Sequence, residues 1–384
     1  MDQFASADAA GAAEVAAASA NRYPIRFTGS GGEYFRIWIV NLLLTILTIG
    51  IYSAWAKVRK MQYFYRNTQL DGSVFDYHGN PLSILKGRLI ALALILFYNF
   101  GFDLNPVVGV IAAVVFGTAL PWLLVQSQRF KLHNTSYRGL RFRFDGPVSE
   151  AYVIFGIPLG IALAAGVMLG LSVEQEEPNV AIFWAFGAVY LVLMVAMPYL
   201  HWRLKRYQHN NARYGQARGH FHAKVGPFYW IYGQAFLMVI GVIALGFGLV
   251  TLLRPGPGEG GGAAAVVVFA IVVLLYFVIL GLTPFVMARV QNLVWNNSLL
   301  GLIGFDSAIK ARRFVWIAVT NLLLILVTLG LYTPFAAVRM YRYRVESVTV
   351  LSTSDLAGVA AAQAQEVGTT GEGAADLLDI DFAL

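Results

Sequence analysis

Four arginines, Arg59, Arg203, Arg289 and Arg339, recur at one fixed place in a repeated signature. A planar guanidinium grips phosphate or carboxylate in a two-pronged fork, so their chemistry would be anion recognition. Lipid phosphate heads or an anionic solute would be the ligand. The signature is Pro-x4-Arg-x3-aromatic-x3-Asn, and its copies start at Ala54, Pro121, Pro198, Pro284 and Pro334. Gln126 stands in the Arg slot of the second copy. The aromatic slot holds Tyr63, Phe130, Tyr207, Leu293 and Tyr343, and the Asn slot holds Asn67, Asn134, Asn211, Asn297 and Ser347. Steps of four place all three on one helix face. A plainer reading has each part serving the membrane. The arginine snorkels to the interface, the aromatic joins the interfacial belt, and the Asn ends the helix.

Asn41 and Asn321 are the other polar groups of interest. They occupy matching places in two matching apolar runs, Asn41 to Tyr52 and Asn321 to Tyr332. Together they would mark an intramembrane polar pocket. As plain helix-packing groups each would contribute about 0.6 kcal/mol. His220-x-His222, near His201 and His209, could pair on one strand face as metal ligands. No Cys or suitably placed carboxylate completes that set, so no metal site is expected. There is no Walker A loop, dinucleotide fingerprint or His-Glu-x-x-His. No Asp or Glu sits mid-span. No catalytic residue and no cofactor are therefore expected, and the chain reads as a non-enzyme.

The elements that must position these residues are membrane helices. Of 384 residues, 58% are hydrophobic and 13% charged, against about 25% charged in soluble proteins. The net charge of +7 could suggest nucleic acid. The basic residues instead flank apolar runs, where the positive-inside rule puts them, and a nucleic-acid partner is rejected. Eight apolar segments follow: 34–56, 82–102, 107–125, 151–173, 180–200, 228–253, 263–287 and 314–338. The middle six are long enough to cross a bilayer and pair into three hairpins. Their tips are Asp103 to Pro106, a loop with Glu174, Glu176 and Glu177, and a loop around Arg254 to Gly262. The opposite side carries almost all the Lys and Arg, so those loops are expected in the cytoplasm. A single crossing by the last segment would put Arg339, Arg342 and Arg344 outside. Two readings stand for the two terminal segments: a simple span, or a re-entrant pair of half-helices turning near Thr48-Ile49-Gly50 and Thr328-Leu329-Gly330.

After each Asn, short runs alternate aromatic and polar residues, as at Phe75/Tyr77 and Phe142/Phe144, and Asp71-Gly72 is a hairpin turn signal. Cytoplasmic β-hairpins sealing the bundle are expected. The fold class is thus an all-α polytopic membrane protein built from internal repeats. It has six full transmembrane helices in three hairpins, two terminal apolar segments that re-enter or span, and short cytoplasmic β-hairpins. Residues 22–350 form the transmembrane domain. Residues 1–21 read as a disordered tail, and 351–384 as a disordered acidic tail ending in a short apolar peptide, Leu377 to Phe382.

Several motifs of the first repeat look like one known group. They are Phe27-Thr-Gly29, Glu33-Tyr34-Phe35, Trp38, Asn41-Leu-Leu-Leu, Thr48-Ile-Gly50-Ile-Tyr52, Trp55-Ala-Lys-Val-Arg59 and Asn67-Thr with Gly72, Phe75 and Gly79. They resemble the YjgN-like family of bacterial inner-membrane proteins, over roughly residues 22 to 350. The resemblance implies a polytopic protein of the bacterial inner membrane and brings no substrate, cofactor or catalytic residue. Ser347 in place of Asn departs from the repeat. Two functions are expected to compete. One is a transporter or channel-like protein for a small solute. The other is a non-transporting scaffold that contacts anionic lipid.

Overall fold

A computed structural model describes residues 21–173, 180–252, 262–358 and 363. The expected tip with Glu174, Glu176 and Glu177, most of the loop after Arg254, and Leu377 to Phe382 lie outside the described residues. So does nearly all of the expected N-terminal tail.

Ten helices are described. They are α1 (Gly31–Leu47), α2 (Ser53–Arg66), α3 (Pro81–Leu104), α4 (Pro106–His133), α5 (Ile157–Val173), α6 (Val180–Asn210), α7 (Gly226–Leu252), α8 (Gly262–Asn296), α9 (Ala311–Val327) and α10 (Thr333–Glu346). A short turn, Val148–Ala151, and a π-helical turn, Tyr152–Gly156, lead into α5. Six helices, α3 to α8, are long and apolar enough to cross a membrane. They match the six expected spans. The helices run on beyond the apolar stretches: α4 reaches His133, α6 reaches Asn210 and α8 reaches Asn296.

The two terminal segments are broken in the same way. Helices α1 and α9 have 17 residues each, about 25 Å at 1.5 Å per residue. Each then turns back into α2 or α10. The turns match bond for bond. Gly50 N–H donates to Thr45 O, and Gly330 N–H to Ile325 O, both at 2.7 Å. The Thr48 and Thr328 hydroxyls donate to Leu44 O and Leu324 O, both at 2.7 Å. Ile49 and Leu329 are left-handed, at φ 49° and 50°, before Gly50 and Gly330. That conformation costs a non-glycine residue about 1–2 kcal/mol. Both side chains are almost bare, 95% and 94% exposed. A strained apolar tip of this kind suits insertion into hydrocarbon.

The strands are where the structure differs most from expectation. The hairpins are not separate. They are β1 (Asn21–Pro24), β2 (Arg26–Phe27), β3 (Thr68–Leu70), β4 (Ser73–Tyr77), β5 (Thr135–Tyr137), β6 (Leu140–Phe144), β7 (Ala212–Tyr214), β8 (Ala217–Phe221), β9 (Ser298–Leu300), β10 (Ile303–Ser307) and β11 (Val348–Ser352). All pair antiparallel in one sheet, ordered β1-β11-β10-β9-β8-β7-β6-β5-β4-β3-β2. Its two end strands, β1 and β2, are separated in sequence by Ile25 alone. The sheet therefore closes into a ring. Asn21 to Pro24 pair with Ser352 to Thr349, and Arg26-Phe27 pair with Gln69-Thr68. Pro24 sits where the strand changes partner, the place where a missing N–H costs least. Closure removes the free edges that an open sheet would present. Single-sequence patterning marks each hairpin but carries no signal for a pairing between the two ends of the chain.

All five helical hairpins leave from this ring and return to it. One bond recurs at each return. The carbonyls of Asn67, Asn134, Asn211, Asn297 and Ser347 accept from the N–H of Thr28, His78, Asp145, His222 and Ala308 at 2.8–3.0 Å. The side chain of each of those five residues donates back to the carbonyl four residues earlier. Four of these bonds measure 2.8 Å and the serine's 2.5 Å. The signature Asn is thus a joint between helix and strand. It ends its helix at negative φ, −97° at Asn67 and −86° at Asn134, and so without a left-handed cap.

Apolar side chains fill the ring. Leu70, Tyr137, Tyr214, Ile303 and Val350 form its buried core, and Leu356 packs into it, 3% exposed. Tyr137 donates to Leu70 O at 2.9 Å and Tyr214 to Tyr137 O at 3.0 Å. Residues beyond 350 also take part in the ring. Leu351 and Ser352 belong to β11, and Gln363 Oε1 accepts from the N–H groups of Gln216 and Ala217 at 2.6 and 2.8 Å.

Candidate functional site

The tyrosines of the signature close the base of each hairpin. Tyr63 OH donates to Ser30 O at 2.8 Å, where Ser30 and Glu33 cap α1 reciprocally. Tyr207 OH donates to Pro147 O at 3.1 Å, and Lys310 N–H donates to Tyr343 OH at 3.1 Å. In each case the partner is the residue that starts the outgoing helix of the same hairpin. Phe130 and Leu293, in the other two copies, have no hydroxyl to do this.

The four signature arginines do not converge. Arg59 is exposed and lies over the Tyr52 ring at 5.8 Å. Arg289 is exposed over Phe285 at 5.6 Å. Arg203 is half-buried. Arg339 turns inward and donates to Thr320 Oγ1 at 2.9 Å and Asn321 Oδ1 at 3.1 Å. Asn321 is buried and also donates to Ala336 O at 3.3 Å. Asn41 is buried too, and its Oδ1 has no partner. Each asparagine thus sits in its own short hairpin, Asn41 in α1 and Asn321 in α9, with α10 packed against both helices.

A different set of charges does come together. Side chains of the returning helices α2, α4, α6, α8 and α10 are linked: Tyr65, Lys131, Lys205, Tyr341 and Arg344 by electrostatic interaction, and Gln291 to Arg344 by a hydrogen bond. Thr68 Oγ1 lies 3.0 Å from Tyr341 OH. Arg344 Nε donates to Gln291 Oε1 at 2.9 Å, and Lys205 Nζ to Gln208 Oε1 at 3.1 Å. Lys131 and Arg344 each act electrostatically on Lys205, and Arg344 acts on Lys131. Lys131 and Arg344 come from helices that are not neighbours around the ring, so their interaction links hairpins that do not pack side by side.

Sequence reasoning missed this set for a definite reason. It followed recurring letters, and these positions do not recur. Three residues before the joint stand Phe64, Lys131, Gln208, Val294 and Arg344; six before it stand Met61, Gln128, Lys205, Gln291 and Tyr341. They lie on a helix face turned away from the Arg, aromatic and Asn line. The available signal was basic residues on helices with no acid three or four residues away to pair with them.

Two of the histidines bond to neighbouring side chains. His201 Nδ1 lies 2.9 Å from Tyr232 OH, and His209 Nδ1 lies 3.0 Å from Ser298 Oγ. No group of metal-ligating side chains occurs among the described residues. At membrane depth, α4 and α5 enclose an apolar crevice of about 590 Å³, lined by Val110, Val114, Gly117, Gly156, Gly160 and Ala164 among others. Tyr152 OH donates to Thr118 O at 2.6 Å at its polar edge, in the turn that Pro121 disturbs.

Over residues 22–377 the chain matches the model of a family described as bacterial protein of unknown function (DUF898). The chain belongs to this family. The DUF898 protein is 24% identical over 362 residues to inner membrane protein YjgN of Salmonella typhimurium (strain LT2), covering 87% of this chain and 90% of that one. It is 29% identical over 160 residues to inner membrane protein YjgN of Escherichia coli O157:H7, covering 40% of this chain and 39% of that one. The same figures hold for inner membrane protein YjgN of Escherichia coli K12. No solved structure matches. With six apolar helices and relatives so named, the DUF898 chain is a multi-pass inner-membrane protein.

Proposed function

We propose that this protein admits a small solute into the space its helices enclose, as a transporter or channel-like protein without catalytic chemistry. One observation carries the reading. Helix α10 packs back onto α1, so the hairpins form a closed circle, and the middle of that circle holds polar and cationic side chains above a ring stoppered by Leu70, Tyr137, Tyr214 and Val350. A purely mechanical scaffold has no use for like charges gathered on its axis. In this reading one unit, a helical hairpin followed by a β-hairpin, has been repeated five times. The ring faces the cytoplasm, because the basic residues gather at that end, and the two short hairpins re-enter the membrane from it.

The apolar crevice between α4 and α5 favours a second reading, in which the chain holds the acyl chain of an anionic lipid. Flux measurement separates the two. Purified protein in liposomes should speed equilibration of small anions across the bilayer, and empty liposomes should not. Equal leak with and without protein, for every anion tried, would leave the lipid-binding reading.

A further inference from the structure

We propose that Lys131, Lys205 and Arg344 form the binding site for a phosphate group, at the point where the returning helices meet above the ring. The inference rests on the solute-handling reading above and names the chemistry of its ligand.

Three observations carry it. First, three cations from α4, α6 and α10 lie close enough to act on one another. Second, among the described residues no carboxylate pairs with any of the three; Lys205 donates to the uncharged Gln208 and Arg344 to the uncharged Gln291. Elsewhere the chain does pair its charges, as in Arg66 with Asp76 at 2.8 Å and Arg138 with Asp71 at 2.7 Å. Gathering like charges in a partly dry place is costly unless an anion joins them. Third, the site stays reachable. Lys131 and Arg344 are solvent-exposed and Lys205 is half-buried.

The donor set suits a tetrahedral oxyanion. Lys131 has three N–H donors and, among the described residues, no acceptor bonded to them. Arg344 spends only Nε on Gln291 and keeps its other donors for a fork. Gln291 donates to Arg344 O at 3.0 Å, which holds that side of the site in place. Lys57 lies within electrostatic reach of both Lys131 and Arg88 and extends the positive track outward. A phosphate group could arrive as a free solute or as a lipid head, and the chemistry is the same for both.

The test uses the full chain, stripped of lipid in detergent, with inorganic phosphate as probe and thermal unfolding as readout. A second arm uses nanodiscs with and without phosphatidic acid. Wild type should show a saturable upward shift in one arm or both. A shift with phosphate alone means a solute, and one with phosphatidic acid alone means a lipid head. Lys205→Gln and Arg344→Gln should weaken binding about tenfold or more, the loss of one charge-assisted hydrogen bond. Lys205→Arg should retain it, and Arg289→Gln should not change it. Because like charges repel, Lys205→Gln without ligand should melt no lower than wild type, which shows that the variant folds. An unchanged shift in both glutamine variants, or a rise that follows ionic strength equally with chloride, would overturn the site. So would the absence of a saturable shift in both arms. Binding without flux would leave the site and remove the transport reading; flux without binding would do the reverse.

Discussion

Arg339 donates to Asn321 Oδ1 at 3.1 Å, across the turn between α9 and α10. The counterpart in the first hairpin is not made. Arg59 lies over Tyr52, and Asn41 Oδ1 is buried without a partner. Two stretches that read alike in sequence therefore differ in energetics. Arg339→Gln or Asn321→Leu should lower stability by about 1–3 kcal/mol, the range for a hydrogen bond to a charged group. Asn41→Leu should be neutral or stabilising, because it removes an unpaired buried oxygen. Thermal unfolding of the four single variants, with Arg59→Gln as the fourth, checks this asymmetry.

The hydroxyls of Tyr63, Tyr207 and Tyr343 tie the return of a hairpin to its start. Each Tyr→Phe change should cost about 1 kcal/mol and leave the ring packing intact. The three variants should melt earlier by similar amounts. An unchanged melting point for all three would mean that the rings alone hold the base.

The ring is closed by the N-terminal strand. Tyr23 stands opposite Val350 in that pairing. The chain has no cysteine, so Tyr23→Cys with Val350→Cys gives a clean pair. Mild oxidation should produce an intramolecular disulfide, seen as a mobility shift that reductant reverses. Persistent free thiols in the folded protein would mean an open ring.

Orientation is tested by labelling single cysteines in intact cells and in broken membranes. Cysteines at Gly146 and Gly226 should react with a membrane-impermeant maleimide only after the cells are broken, and one at Asn105 should react in intact cells. Cysteines at Ile49 and Leu329 should react in neither, because bare apolar tips of this kind belong in hydrocarbon. Labelling of Leu329→Cys in intact cells would mean that the last hairpin reaches the outside.

Much of this architecture is legible in the chain. The long apolar runs mark α3 to α8, because a bilayer demands length and composition that nothing else imitates. Asp71-Gly72 marks a turn, and both residues are left-handed there. Closure of the ring was not legible. It depends on Asn21 to Pro24 meeting β11 at the far end of the chain, and one strand of four residues carries no record of its partner. The axial charges were not legible either. Lys131 and Arg344 stand three residues before their joints and Lys205 six before its own, and at neither step does one residue type hold from copy to copy. The recurring arginines share a place in the signature but not a setting: Arg59 and Arg289 are exposed over an aromatic ring, Arg203 is half-buried, and Arg339 bonds to Asn321.

The central claim is that the returning helices converge, so that Lys131 on α4 and Arg344 on α10 face each other across the middle. Cross-linking tests it most directly. The double variant Lys131→Cys with Arg344→Cys should be joined within one chain by a short bifunctional thiol reagent, and inorganic phosphate should slow maleimide modification of the single Lys131→Cys variant, which keeps Lys205 and Arg344. No intramolecular product from this pair, in a preparation where the Tyr23→Cys and Val350→Cys pair joins, would contradict the account.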